Sequence, residues 1–222
     1  VIERATRDHP QRVDVERMKS ASGALARTLP AIGQAERLEL LRGLEGEAAQ
    51  RYFDVFNELI LQNEKAFRFT ERSRRPPKDP MNALLSFAYS MLVRDCAAAL
   101  SCNGLDPYVG FLHRDRPGRV SLALDLMEEL RPLMADRFAL TLVNNRVIKP
   151  TDFERSKSNG CRLKDAARKA FFAAWQERKK EEIEHPYLGE KLAWGLVPHV
   201  QALLLARHLR GDLDEYPPFL WK

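Results

Sequence analysis

The sequence predicts an all-α fold, a bundle-like helical domain, and three observations carry that reading. Apolar residues recur at helical spacing over residues 34–63, 82–102 and 163–184. No stretch alternates apolar and polar residues over a useful length, so no sheet is expected. The punctuation is helical as well. Asp79-Pro80 reads as an N-cap acid followed by proline at the first helical position, and Asn103-Gly104 closes the segment that it opens.

A chain of 222 residues can form one large domain or two small ones. Its net charge of +5, from 36 Lys and Arg against 31 Asp and Glu, permits a polyanionic partner without requiring one. Cys96, Cys102 and Cys161 form no C-x-x-C pair, which argues against zinc and a disulfide framework and fits a reducing cytoplasm. No apolar run is expected to reach the ~18–20 residues of a membrane span, and the N-terminus lacks a signal-peptide pattern, so no membrane partner is expected. The chain begins at Val1 in mid-helix composition and reads as part of a longer polypeptide.

Residues 1–30 are charged, weakly periodic and interrupted by Pro10, Gly23 and Pro30. They predict a helical piece over 12–28 and a boundary at Pro30, leaving 31–222 as the main domain. Over 34–63, Leu38, Leu41, Ala48, Ala49, Tyr52, Phe56 and Leu59 share one face, within roughly ±60° of a common direction. Glu45 stands in the middle of that face. A carboxylate there loses hydration worth several kcal/mol unless a cation or good hydrogen bonds replace it. Two readings stay open, a buried Glu–Arg pair or a metal ligand. Gly43 and Gly46 flank it at about 1 kcal/mol each relative to Ala, which predicts another element close to that backbone.

The next stretch, FRFTERSRRPPKDP, places Arg68, Arg72, Arg74, Arg75 and Lys78 among Phe67, Phe69, Pro76 and Pro77. That composition suits a contact tracking a nucleic-acid backbone, although basic loops are often plain soluble surface. Residues 82–102 follow as a central helix, with Phe87 and Tyr89 in the core. Then a loop rich in Gly, Pro and Arg carries His113 into a helix on which Ser121, Asp125, Glu128 and Pro132 share a strip roughly 60° wide. Leu122, Ala123, Leu124, Leu126, Met127 and Leu130 occupy the rest, so the strip is expected to line a cleft. It is either a solvated edge or a divalent-cation site built from a loop histidine and helix carboxylates. The chain then turns near Asn144-Asn145 and Pro150. Helix 163–184 carries Phe171, Phe172 and Trp175 inward, and helix 188–210 is kinked near Pro198 and stopped by Gly211.

Four stretches in order, LRGLEGEAAQRYF, RRPPKDPMNALLSFAYSML, GFLHRDRPGRVSLALDLMEELRP and HPYLGEKL…QALLLARHLRGDLDEYPPFLWK, resemble the CRISPR-associated adaptation endonuclease, the first-numbered Cas protein. The resemblance covers residues 33–222, and the ending is similar to the subtype I-C branch. It implies a DNA endonuclease and integrase that inserts new spacers into a CRISPR array. It also implies an N-terminal β-sheet domain ahead of a helical catalytic domain, only the latter being expected in this chain. Carried over motif by motif, the implied metal ligands are Glu45 of the E-G motif, His113 of G-F-x-H and Glu128 closing D-x-x-[DE]. Asp125 is the supporting first acid of that last motif, and Glu128 stands where many members have Asp. A site of oxygens and one imidazole suits Mg²⁺ or Mn²⁺. The implied partners are double-stranded DNA as protospacer and repeat, a second copy as homodimer, the second-numbered Cas protein as a bridge and the fourth-numbered Cas nuclease, in a prokaryotic cytoplasm. Two rivals stand beside this: a non-catalytic helical DNA-binding or assembly module, and a metal-dependent repair nuclease.

Overall fold

The computed structural model describes residues 1–62, 64–68, 70–156 and 159–220, and is mostly helical. Its helices in chain order are α1 (Ile2–Asp8), α2 (Val15–Gly33), α3 (Leu38–Asp54), α4 (Glu64–Phe67), α5 (Pro80–Cys102), α6 (Ser121–Leu130), α7 (Arg137–Asn144), α8 (Asp165–Lys180) and α9 (Val197–Leu209). Short strands β1 (Phe153–Arg155) and β2 (Cys161–Leu163) pair antiparallel, as do β3 (Glu182–Glu184) and β4 (Lys191–Ala193). Two compact units result. One comprises Val1–Ser86 and Ala139–Lys164, the other Phe87–Phe138 and Asp165–Lys222.

In the first unit Asp14 caps α2 by accepting the Arg17 N–H at 3.0 Å. The helix runs past the boundary expected at Pro30. Proline in the last turn forfeits a single backbone bond, and the Gln34 N–H still reaches the Pro30 carbonyl at 3.2 Å. Helix α3 is shorter than the expected 34–63: it stops at Asp54, and Phe56–Leu59 form a separate 3-10 turn in which Phe56 and Leu59 are buried. The expectation of a buried face on α3 is corrected here. None of its residues is buried, and Leu38 and Leu40 are 46% and 53% exposed. Glu45 is accordingly half-buried rather than enclosed. A Cβ on Gly43 or Gly46 would meet nothing within 4 Å, so no described element approaches the helix there. Asn144 stitches the unit's two segments together, accepting the Leu61 N–H at 2.8 Å and donating to the Leu59 carbonyl at 3.0 Å.

Helix α5 starts as its sequence predicts. Asp79 accepts the Asn82 N–H at 2.8 Å, and Gly104 ends it in the left-handed region at φ +76°. By length and composition α5 is apolar enough to cross a membrane, which the sequence reading did not anticipate. Its inward positions, Leu84, Leu85, Ala88, Leu92, Cys96, Ala99 and Leu100, are buried in the protein. Asp95 on the same helix accepts hydrogen bonds from Trp175 Nε1 at 3.3 Å and Lys179 Nζ at 3.0 Å. It is a core helix. Around it in the second unit, Phe87 and Phe138 pack edge-on against Phe171, with ring centroids 4.7 Å and 5.1 Å apart.

Two further helix expectations change. Helix 163–184 gives up its ends to β2 and β3, and 188–210 loses its first part to β4 and a 3-10 turn, Trp194–Leu196. Pro198 lies in the first turn of α9 rather than at a kink, where its missing N–H costs nothing. After Leu130, residues Arg131–Asp136 widen into a π turn. Pro132 explains it. It has no N–H for the carbonyl of Glu128 four residues earlier, so the α ladder cannot continue through it.

Candidate metal centre

The site is built where the loop before α6 folds back on the helix. Val120 offers no side-chain cap, and the Pro107 carbonyl serves instead, accepting the N–H groups of Leu122 at 3.0 Å and Ala123 at 3.2 Å. Ser121, fully buried, donates its hydroxyl to the Arg114 carbonyl at 3.2 Å. Between these tethers the backbone passes so close to α6 that a Cβ on Gly110 would lie 2.7 Å from Ser121 Cβ and 2.9 Å from Asp125 Oδ2. Only glycine permits that approach.

The close approach lets three successive backbone N–H groups reach one carboxylate. Phe111 and Leu112 donate to Asp125 Oδ2 at 2.6 Å and 3.0 Å, and His113 donates to Oδ1 at 2.9 Å. The His113 ring adds a fourth bond, Nδ1 to Asp125 Oδ1 at 2.7 Å. Burial pushes the Asp125 carboxyl up, but the His113 ring and the three N–H groups outweigh it and hold the group below its ordinary range. An ionised acceptor fixes the proton on Nδ1, which leaves Nε2 as the ring atom with a lone pair. The helix strip therefore does not face an open cleft along its length; its first turn is roofed by this loop.

Glu128, one turn further, is held bidentately by Arg131, Oε1 to Nη1 at 3.0 Å and Oε2 to Nη2 at 2.9 Å. Arg131 lies over the Tyr89 ring at 5.7 Å, and the Tyr89 hydroxyl donates to Asp136 at 2.5 Å. Tyr89 thus serves a polar network beside this helix rather than a purely apolar core. The structure brings His113 and Asp125 together, with Glu128 on the next turn. Glu45 belongs to the first unit. Its neighbours pair among themselves, Glu39 with Arg42 and Glu47 with Arg51, while Glu45 has no ion pair among the described residues. Among the described residues no group of three or more His, Cys, Asp or Glu side chains is gathered to hold an ion.

The basic segment divides. Arg72 turns inward, donating from Nη1 to Asn82 Oδ1 at 2.6 Å and the Ser73 carbonyl at 2.7 Å, and from Nη2 to Ser86 Oγ at 3.1 Å. Asn82, fully buried, donates in turn to the Glu71 carbonyl and to Asp79. Arg72 therefore braces the loop, and its expected availability to phosphate is corrected. Arg68, Arg74 and Arg75 are exposed, and Lys78 is exposed but paired with Glu71 at 3.1 Å. Phe67 is buried against Phe153, and Phe69 lies outside the described residues. The β1–β2 hairpin holds the loop in place: Cys161 N–H donates to the Pro77 carbonyl at 2.7 Å and Arg155 to the Lys78 carbonyl at 2.8 Å.

Sequence reasoning missed a polar cluster that gathers on α6 around Glu129. Glu129 accepts the Phe219 N–H at 2.6 Å, Gln201 Nε2 at 3.0 Å and the Tyr216 hydroxyl. Gln201 also donates to Tyr216 at 2.7 Å, and its Oε1 meets His185 Nε2 at 3.0 Å. Gln201 and His185 are fully buried. The acid pair Glu128-Glu129 and the aromatic tail were its visible signals.

The family model described as CRISPR associated protein Cas1 matches residues 1–177. CRISPR-associated endonuclease Cas1 1 of Chlorobaculum tepidum is 52% identical over 221 residues, covering 100% of this chain and 64% of that protein. CRISPR-associated endonuclease Cas1 2 of Rhodospirillum rubrum is 55% identical over 226 residues, covering 100% and 66%. The chain thus spans 64% and 66% of the length of these two curated relatives. Among solved structures, a chain of the partial Cas6-RT-Cas1–Cas2 complex superposes with a TM-score of 0.80 at 26% identity, covering 100% of this chain and 65% of that one.

Proposed function

The chain belongs to the CRISPR-associated Cas1 family, and on that premise we propose that it carries the catalytic region of a metal-dependent DNA endonuclease and integrase. Its reaction is the insertion of new spacer DNA into a CRISPR array, in the subtype I-C-like branch. Residues 31–222 carry the nuclease and integrase function in this reading, with 1–30 an N-terminal helical segment. The observation that supports it most is the His113–Asp125 pair. An imidazole held by a carboxylate through one nitrogen is the usual setting of a metal-ligating histidine.

The ligands proposed are His113 Nε2 and the carboxylates of Glu128 and Glu45, a donor set of oxygens and one imidazole whose chemistry suits Mg²⁺ or Mn²⁺. Bound there, the ion supplies Lewis-acid stabilisation of phosphoryl charge and polarises the attacking oxygen. The chain's own residues do the rest. Asp125 holds the His113 ring in one tautomer and orientation. Arg131 pairs with both Glu128 oxygens, so the acids of α6 are not crowded as bare charges. Arg68, Arg74, Arg75 and Lys78 hold the DNA backbone, supplying affinity rather than sequence choice. The nucleophile is the 3′-OH of incoming DNA in integration and water in cleavage.

The proposed partners are protospacer and repeat DNA, a second copy of the chain, the second-numbered Cas protein and the fourth-numbered Cas nuclease, in a prokaryotic cytoplasm. Incubating the protein with 3′-OH-ended DNA and a repeat-containing duplex in Mn²⁺ tests the reading. Joined strands are expected, and His113→Ala should abolish both joining and cutting. Cutting without joining points to a repair-type nuclease, and DNA binding without either points to an assembly module.

A further inference from the structure

Helix α6 is locally weak at the residue that matters most to the proposed site. The last regular α-helical bond recorded there runs from the Arg131 N–H to the Met127 carbonyl. The next, to Glu128, is the one Pro132 cannot make, and the helix opens into the π turn of residues 131–136. The backbone that aims Glu128 therefore has less local restraint than a regular turn would give.

The missing restraint arrives from far along the chain. Glu129, the very next residue, is gripped by the Phe219 N–H, by Gln201 and by the Tyr216 hydroxyl. Phe219 is 2% exposed, seated against His185 and Trp194 with centroids 5.3 Å and 5.8 Å away. Gln201 is fully buried and held by His185. Successive helical residues point about 100° apart, so the Glu129 side chain diverges from that of Glu128; its bonds run to Phe219, Gln201 and Tyr216, and it acts on Glu128 through the backbone the two share. Charge-assisted bonds of this kind are the strong ones, and several converge on a single carboxylate.

We propose that residues 216–219 form a strap that fixes Glu128 for metal binding by clamping Glu129, which makes Glu129, Gln201 and Tyr216 positioning residues. This rests on the reading of Glu128 as a metal ligand. Because the clamp and the ion both act on one short backbone segment, docking of the strap and binding of the ion reinforce each other, and the coupling is reciprocal.

Tyr216→Phe removes one hydroxyl and keeps the ring; Glu129→Gln keeps the volume and removes the charge. Mn²⁺ binding is followed by the EPR signal of free Mn²⁺ well below the melting temperature, alongside thermal melts in chelator and limited-proteolysis trimming at residues 216–219 with and without Mn²⁺. Couplings of this kind typically amount to about 5–150-fold, and about fivefold weaker Mn²⁺ binding is expected for both variants. In the parent, Mn²⁺ should slow trimming; in Tyr216→Phe it should not. If Glu129→Gln fails to fold, Tyr216→Phe alone decides. Parent-like Mn²⁺ affinity in Tyr216→Phe, with only a lower melting temperature, overturns the strap and leaves the metal centre standing. A parent that binds no Mn²⁺ overturns the metal reading and the strap with it.

Discussion

Asp125 commits both oxygens to the loop that carries His113, and this decides what each residue of the site can do. In the proposed site its role is to orient, and His113 Nε2 is the ring atom that remains to bind. Asp125→Asn must turn an NH₂ group toward two N–H donors and loses the charge that selects the tautomer. Mn²⁺ affinity should therefore fall about 10–100-fold in an EPR titration, and the melting temperature should drop as the loop loosens. Gly110→Ala places a Cβ against Ser121 and Asp125 and should cost about 1–3 kcal/mol in denaturant unfolding, the usual range for overpacking. His113 and Asp125 were legible as a loop histidine ahead of an acidic helix strip. Gly110 was visible as a letter, but its reason was not, because close approach is a property of two segments. Glu45 is the opposite case: it stood out on an apolar face that proves half open. With Glu45 as a proposed ligand that has no ion pair to lose among the described residues, Glu45→Gln should abolish Mn²⁺-dependent cleavage and joining while leaving the chelator melt within about 0.5 kcal/mol of the parent. A large drop in melting temperature with normal cleavage would return Glu45 to a structural role.

At the scale of elements, the basic loop separates two kinds of arginine. Arg72 is bonded to Asn82, Ser73 and Ser86, so Arg72→Ala strands part-buried acceptors and should cost about 1–3 kcal/mol of stability. Arg74 and Arg75 are exposed, and their removal should leave stability unchanged. Each lost phosphate contact should instead lower the slope of log affinity against log salt by about 0.9 for duplex DNA. Salt titrations of Arg74→Ala/Arg75→Ala against the parent check this; an unchanged slope makes the loop plain surface. Composition could count these five cations but could not sort them, since the sorting depends on Asn82 lying buried within reach. The same limit governs the secondary structure. Helix α5 was legible because its cap, its proline and its closing glycine are all local signals. The two hairpins were not, because strands of three residues are too short to show a period. Their pairing is decided by what they pack on.

For the molecule as a whole, the C-terminal cluster predicts a response to acid. His185 is fully buried, and its Nδ1 accepts from the N–H groups of Tyr187 and Leu188 at 3.3 Å each. Nε2 must then carry the proton and donate to Gln201 Oε1, which orients the amide toward Glu129 and Tyr216. A second proton on the ring would have to go on Nδ1, facing two N–H groups that can only repel it. Burial lowers the His185 pKa from 6.5, with the Gln201 bond opposing. Between that lowered value and 6.5 the unfolded chain holds more protons at His185 than the folded one, which makes the His185 part of the stability rise with pH. Burial raises the Glu129 pKa and adds a part of opposite sign, so the His185 part is read as the difference between the parent and a variant without the ring. His185's contribution is therefore complete above pH 6.5, is lost progressively as pH falls below it, and levels off once the folded ring is protonated as well. Thermal melts from pH 7.5 to 5 should show that decline, and His185→Gln, which cannot titrate, should flatten it. Trimming of the C-terminal segment by a protease should accelerate over the same window in the parent and not in the variant. A parent and a His185→Gln variant whose melts and trimming follow the same course from pH 7.5 to 5 would mean that the ring is not held neutral by this cluster and that Gln201 keeps its orientation without it.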